Sequence, residues 1–388
     1  MMKKLLFFVL FSAISQLIHA GSWNQKSSLG GVGRHRSCGL SIANKGYIGT
    51  GHVNGTGIDI SYKDWWEFDP ASNSWTQKAD FPAFTHGAVT FSTDTKGYVG
   101  GGSGLGGEFY AYDPTTNLWT AISLCPLLVS DSQGFSVQNK GYVYLGNQLA
   151  EFNPALNSWS LKPNAPISFG TWSCSFGNNS SGFIKSGGLF YEFKPSQNLW
   201  VQRASFPGVM SNGSSAFSIY DKGYVTCGYV GGLSTVTDEV WEFNPGNNVW
   251  TRVQDFPGTK RRFPVAFAIH NVGYFGTGTN GINFNDFWEY DPLKATSGLD
   301  DLTLNSLEMT LYPNPVVDNL NIELDGIAEN AIEELSVKIF SSDGREVYTE
   351  NLGGLLTQVD RTNLPKGVYF VTLIYQGRKI ESKKLILL

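Results

Sequence analysis

Five times along this chain an aromatic residue, a polar residue and a proline are followed, five positions after the proline, by a tryptophan. The copies are Phe68-Asp69-Pro70 with Trp75, Tyr112-Asp113-Pro114 with Trp119, Phe152-Asn153-Pro154 with Trp159, Phe193-Lys194-Pro195 with Trp200, and Phe243-Asn244-Pro245 with Trp250. A sixth head, Tyr290-Asp291-Pro292, has Ser297 where the tryptophan would stand. Upstream of each lies a glycine-aromatic pair: Gly46-Tyr47, Gly97-Tyr98, Gly141-Tyr142, Gly182-Phe183, Gly223-Tyr224 and Gly273-Tyr274. The tryptophans are 44, 40, 41 and 50 residues apart. That period holds four short strands, the unit of a propeller blade. Local chemistry agrees. Asn73, Asn117, Asn157, Asn198 and Asn248 precede the tryptophans, where a turn needs a residue that tolerates positive φ. The Gly-Tyr pairs are expected at hairpin tips for the same reason. A tryptophan at one position of every copy reads as packing between neighbouring units.

The missing sixth tryptophan is supplied from the other end of the chain. Ser22-Trp23-Asn24-Gln25-Lys26 matches Ser74-Trp75-Thr76-Gln77-Lys78. A strand from the N-terminus is therefore expected to complete the sixth unit, removing the exposed edge of an open array. The Gly100-Gly101-Gly102 strand, the aromatic-Asp-Pro turn and the spaced tryptophan resemble the kelch family over residues 21–296. The glycine pair is degraded in places, as in Gly49-Thr50-Gly51 and Cys227-Gly228. The expected fold is all-β: a six-bladed kelch-like β-propeller closed by the N-terminal strand, followed by a small immunoglobulin-like β-sandwich.

The two ends differ from the repeats. Lys3 and Lys4, the apolar run Leu5 to Phe11 and the small-residue end Ile18-His19-Ala20 form a signal peptide over residues 1–20. Its apolar run is too short to span a bilayer, and no later segment is long and apolar enough. All 11 tryptophans and all four cysteines precede residue 289. Residues 297–306 read as a linker, and residues 307–388 carry alternating strands such as Leu320-Asn321-Ile322-Glu323-Leu324 and Ser336-Val337-Lys338-Ile339-Phe340. Within them Leu311-Tyr312-Pro313-Asn314-Pro315, Asp343-Gly344-Arg345, Leu364-Pro365-Lys366-Gly367-Val368-Tyr369 and Lys383-Lys384 occur in order. These resemble the C-terminal sorting domain of the type IX secretion system (type A-like), a family of the Bacteroidota. The resemblance implies that residues 307–388 engage the secretion machinery and that the protein is secreted or attached to the outer cell surface.

The net charge of −5, with no basic block, argues against a nucleic-acid partner. Cys38, Cys125, Cys174 and Cys227 lack metal-site spacing, and equivalent positions in separated blades stand too far apart for disulfides. Four unpaired, buried thiols are expected, with no metal and no cofactor. The candidate ligand site is the loop entering the first strand of each unit. Aligned by distance to Gly-Tyr with one insertion allowed, the equivalents are Arg36, His86, Asp131, Trp172, Asn212 and Arg262. Five residue types among six copies of one repeated position are unexpected for packing alone, and a ring of them would surround one channel mouth. Arg34, His35, Arg261 and Arg262 add charge there, suited to a carboxylate or an acidic sugar. The expectation is a monomeric, non-catalytic binding protein whose ligand is a glycan, an anionic small molecule or a protein. The alternative is a kelch-type enzyme such as a sialic-acid epimerase-like protein, with His86 and Asp131 as acid and base. A copper radical oxidase is disfavoured by the few histidines.

Overall fold

The computed structural model describes residues 21–231, 235–294, 307–326, 335–342, 344–360, 364–375 and 378–388. The expected signal peptide and the 297–306 linker lie outside these. The described residues contain strands and no helix.

Each repeat folds into one four-stranded antiparallel sheet. The first runs through Cys38–Ile42, Lys45–Gly49, Trp65–Asp69 and Ser74–Lys78, and the next four follow the same meander. The sixth takes Val265–Ile269, Val272–Gly276 and Phe287–Asp291 from the C-terminal side and Ser22–Lys26 from the N-terminal side. Trp23 stands opposite Tyr290 in that pairing. The first strands of successive sheets lie side by side, and that of the sixth lies against that of the first. The arrangement is consistent with a β-propeller.

Six apolar clusters separate neighbouring sheets. One joins Leu40 and Trp65 of the first sheet to Val99 and Tyr112 of the second. Another joins Ile48 and Phe68 of the first to Phe267 and Phe287 of the sixth. The repeated tryptophans pack at the edges of these clusters, and their indoles follow one rule. Nε1 donates to the carbonyl four residues past the tryptophan of the preceding unit: Trp75 to Ser27 (2.8 Å), Trp119 to Ala79 (2.9 Å) and Trp159 to Ser123 (2.9 Å). Trp200 bonds Pro163 (2.8 Å), Trp250 bonds Ala204 (3.0 Å), and Trp23 bonds Gln254 (3.2 Å). The asparagines before the five later tryptophans adopt φ between 46° and 60°, as the turn chemistry requires.

The Gly-Tyr glycines are not hairpin tips. They lie inside second strands, and the positive φ falls on residues before them, such as Ala43, Asn139, Asp221 and His270. The reason for glycine is close approach. A Cβ on Gly141 would meet Phe91 at 2.0 Å, and one on Gly223 would meet Phe176 at 1.8 Å, each ring belonging to the preceding sheet.

Residues 307–388 form two facing sheets. One has Glu308–Tyr312, Asn319–Asp325 and Leu356–Asp360; the other has Leu335–Ser341, Glu346–Asn351, Gly367–Tyr375 and Arg378–Leu387. A single apolar cluster joins them, with Met309, Ile322, Val337 and Val371 fully buried. The motif residues are local staples. Asn314 donates to the Lys384 carbonyl (2.8 Å) and accepts from the Ile386 amide (3.0 Å), while the Tyr369 hydroxyl donates to the Pro365 carbonyl (2.8 Å). Asp343 lies outside the described residues.

Candidate functional site at the entry-loop mouth

The residue that turns each entry loop into its first strand has positive φ: Arg36 (51°), Gly87 (65°), Asp131 (55°), Trp172 (65°), Gly213 (66°) and Phe263 (54°). Five successive backbone bonds of 2.7–2.9 Å link them, each N–H donating to the carbonyl of the equivalent residue one unit earlier, from Gly87 onto Arg36 through Phe263 onto Gly213. This corrects the alignment made from sequence. Arg36, Asp131 and Trp172 occupy the repeated position, whereas His86, Asn212 and Arg262 each precede it by one. The signal was present in the chain. Every one of the six lies ten residues before the glycine of its Gly-Tyr pair, with no insertion. That spacing puts Gly87 and Gly213, the residue type a left-handed turn favours, at the repeated position in place of the polar residues before them.

Arg36 and Asp131 form a bidentate pair that reaches from the first unit to the third, with Arg36 Nε 2.5 Å from Asp131 Oδ1. Gly87, between them, has no side chain to obstruct it; a Cβ there would stand 2.3 Å from Asp131 Oδ1. Below the ring lies a cavity of about 80 Å³ lined by Arg36, Asp131, Gln133 and Trp172 among others. Small-molecule sites span about 300–1,000 Å³, so a sugar-sized ligand would rest on the mouth and insert only a small group.

The other side of the mouth is aromatic. Trp172, Tyr229 and Phe263 pack with ring centroids 5.1–6.1 Å apart, and the Arg262 guanidinium stands 4.8 Å over the Tyr229 ring. Two donors here are buried and have no partner: Trp172 Nε1 and Arg262 Nε. Buried donors are almost always satisfied, so such a pair marks a place for water or a ligand acceptor.

Arg34 and Arg261 do not contribute to this surface, contrary to the sequence reading. Both are buried, at 1% and 0% exposure, and saturated within their own sheets. Arg34 grips Asp64 and the Val32 and Thr50 carbonyls under the Tyr62 ring. Arg261 grips Asp286 and the Thr259 and Thr277 carbonyls under Phe284. Burial alone would raise the Asp64 carboxyl, but the bonds from Arg34 and Trp66 outweigh it and hold it below the usual range. A guanidinium fork already holding a carboxylate offers nothing to an anionic ligand.

His35 and His52 share a 2.8 Å bond between their Nε2 atoms, and His35 Nδ1 meets Asn283 Oδ1 at 2.7 Å. His86 lies against His52 with ring centroids 3.9 Å apart, its Nδ1 2.9 Å from the Ser61 hydroxyl. Burial, with the nearby Arg36, keeps the rings neutral: His35 is lowered to about 4, His52 to about 3, and His86 below its ordinary value. Among the described residues no group of three or more His, Cys, Asp or Glu side chains has a metal-holding arrangement. The four cysteines are buried and unpaired.

Residues 310–388 match the family described as the secretion system C-terminal sorting domain. The chain is therefore exported by type IX secretion, to the cell surface or outside. The sorting tail implies interaction with that machinery. No helix among the described residues is long and apolar enough to cross a membrane. No curated protein matches the chain. A solved structure titled "Structure of YjhT" is similar in fold, with 15% identity and a TM-score of 0.56, covering 76% of this chain and 98% of its own.

Proposed function

We propose that the exported chain is a non-catalytic binding protein, and that residues 21–296 are a six-bladed kelch-like propeller closed by the N-terminal strand. Residues 297–306 then link it to the sorting domain. The six-membered set of indole bonds supports closure, because Trp23 completes it from the far end of the chain. The ligand site is the entry-loop mouth, and its ligand is a glycan or a small molecule with an anionic group. One observation carries this reading: Arg262 and Trp172 present unpartnered buried donors beside the Tyr229 and Phe263 rings. A guanidinium without a carboxylate partner favours an anion, and the rings favour the face of a sugar or another planar group.

The test is a glycan and small-acid array probed with the full chain and with Arg262→Ala, Trp172→Phe and Arg36→Ala. Arg262→Ala is expected to lose binding by tenfold or more, since charge-assisted hydrogen bonds contribute about 1.5–3 kcal/mol. Arg36→Ala acts indirectly, by releasing Asp131. Binding unchanged in Arg262→Ala moves the site away from the mouth. The enzyme alternative needs Asp131 free to move a proton, and its carboxylate is held by Arg36. Turnover of a sialic-acid panel by the wild type would establish that alternative.

A further inference from the structure

Eight residues before the Gly-Tyr glycine, the six units carry Cys38, Val89, Gln133, Cys174, Ser215 and Val265. Five are compact. Gln133 is long and polar, and it is not used to pack its own sheet. Its Oε1 accepts the Ala216 amide (3.1 Å) and the Ser175 amide (3.4 Å), and its Nε2 donates to the Ser215 hydroxyl (3.1 Å). Starting in the third unit, the side chain therefore reaches the first strands of the fourth and fifth. The Arg36–Asp131 pair makes a similar span from the first unit to the third, one layer above. Gln133 lines both the 80 Å³ cavity under the mouth and a larger one of about 260 Å³ below it, whose walls include Phe91, Phe135, Phe176, Phe217 and Phe267. Beyond that the far mouth opens into about 580 Å³.

We propose that Gln133 is the floor of the mouth site and a specificity-determining residue: it divides the channel, so that the site takes the compact end of a ligand and excludes chains that would thread deeper. This rests on the mouth being the ligand site. It narrows the ligand class to molecules whose inserted end is a group of a few heavy atoms, such as a carboxylate or hydroxymethyl, with their bulk outside.

The probes are linear monocarboxylates from acetate to octanoate, titrated into the full chain by calorimetry at fixed ionic strength. The wild type is expected to bind with an affinity that is flat or falling beyond three carbons. In Gln133→Ala affinity should rise with length, by up to about fourfold per added methylene, the value of a buried CH₂. Gln133→Ser, which places there the residue that the fifth unit carries at Ser215, is the second variant should Gln133→Ala not fold, with the same expected trend. A chain-length profile unchanged by either variant overturns the proposal, as does a rising profile in the wild type. Failure of every carboxylate with all three proteins also overturns it. An Arg262-dependent array signal would then show that the mouth reading survives without the floor.

Discussion

Replacing Trp23 by alanine tests whether the N-terminal strand is structural or merely attached. Trp23 is 9% exposed. Its ring meets Phe256, Phe275 and Tyr290 with centroids 5.2, 5.9 and 4.8 Å away, and its indole bonds the Gln254 carbonyl. Truncating a buried tryptophan costs about 3–5 kcal/mol. In a domain of this size each kcal/mol lowers Tm by about 2–4 °C, so the expected drop is on the order of 10 °C. Intrinsic fluorescence is a selective readout, because all 11 tryptophans lie between residues 23 and 288 and none in the sorting domain. Two comparisons calibrate the result. Trp119→Ala removes the equivalent indole from the second sheet, where it packs on Trp65, Phe81 and Tyr112, and should cost a similar amount. Leu118→Ala removes a neighbouring side chain that is 61% exposed and should cost little. If Trp23→Ala melts with the wild type while Trp119→Ala falls by many degrees, the strand is a peripheral tail and the closure reasoning is wrong.

Other perturbations follow from single contacts. Gly87→Ala forces an L side chain into φ 65° and against Asp131, so it should lose about 1–2 kcal/mol in denaturant titration and weaken the Arg36–Asp131 pair. Asp286→Asn leaves Arg261 buried without its carboxylate and should destabilise by about 3–5 kcal/mol; a loss below 1 kcal/mol would mean that the carbonyls and rings around Arg261 suffice. His35 and His52 have folded-state values near 4 and 3, below the ordinary 6.5. The unfolded chain therefore binds protons more readily, and stability falls as pH drops through 6.5, by about 1–2 kcal/mol per ring between pH 7 and 5. Denaturation of the His35→Gln, His52→Gln double variant should show a shallower slope over that window, and an equal slope would remove the imidazoles as its cause.

The architecture was legible because it is written in repetition. A Pro-to-Trp spacing of five and a period near 44 residues identify the unit, and the displaced Ser22-Trp23 copy reveals how the sixth is completed. What repetition hides is the cause of each residue. The Gly-Tyr glycine looks like a hairpin tip from sequence, yet it is required by a phenylalanine of the neighbouring sheet, a contact between residues about 50 apart such as Gly141 and Phe91. The buried arginines show the same limit. Arg34-His35-Arg36 and Arg261-Arg262-Phe263 read alike as charge at the mouth. Whether each guanidinium is spent depends on a carboxylate placed by another loop: Asp64 and Asp286 consume Arg34 and Arg261, Asp131 consumes Arg36, and Arg262 is left.

That leftover charge and the anomalous glutamine are two instances of one principle. In a repeat fold, a position shared by all units is constrained by packing, so each unit converges on the residue that fits. A unit that departs from the shared residue without a packing reason gives up local consistency, and the departure points to a role outside the unit. Gln133 departs where its equivalents are Cys, Val or Ser, and its hydrogen bonds go to two other sheets instead of its own. Trp172 lies at a position where the other units carry Arg, Gly, Asp, Gly and Phe, and its indole N–H bonds nothing, unlike the six repeat indoles, each of which donates to a carbonyl of the preceding unit. The residues worth mutating first are therefore those whose polar atoms leave their own sheet or find no partner, and the conspicuous tryptophans of the repeat are worth mutating only to measure stability.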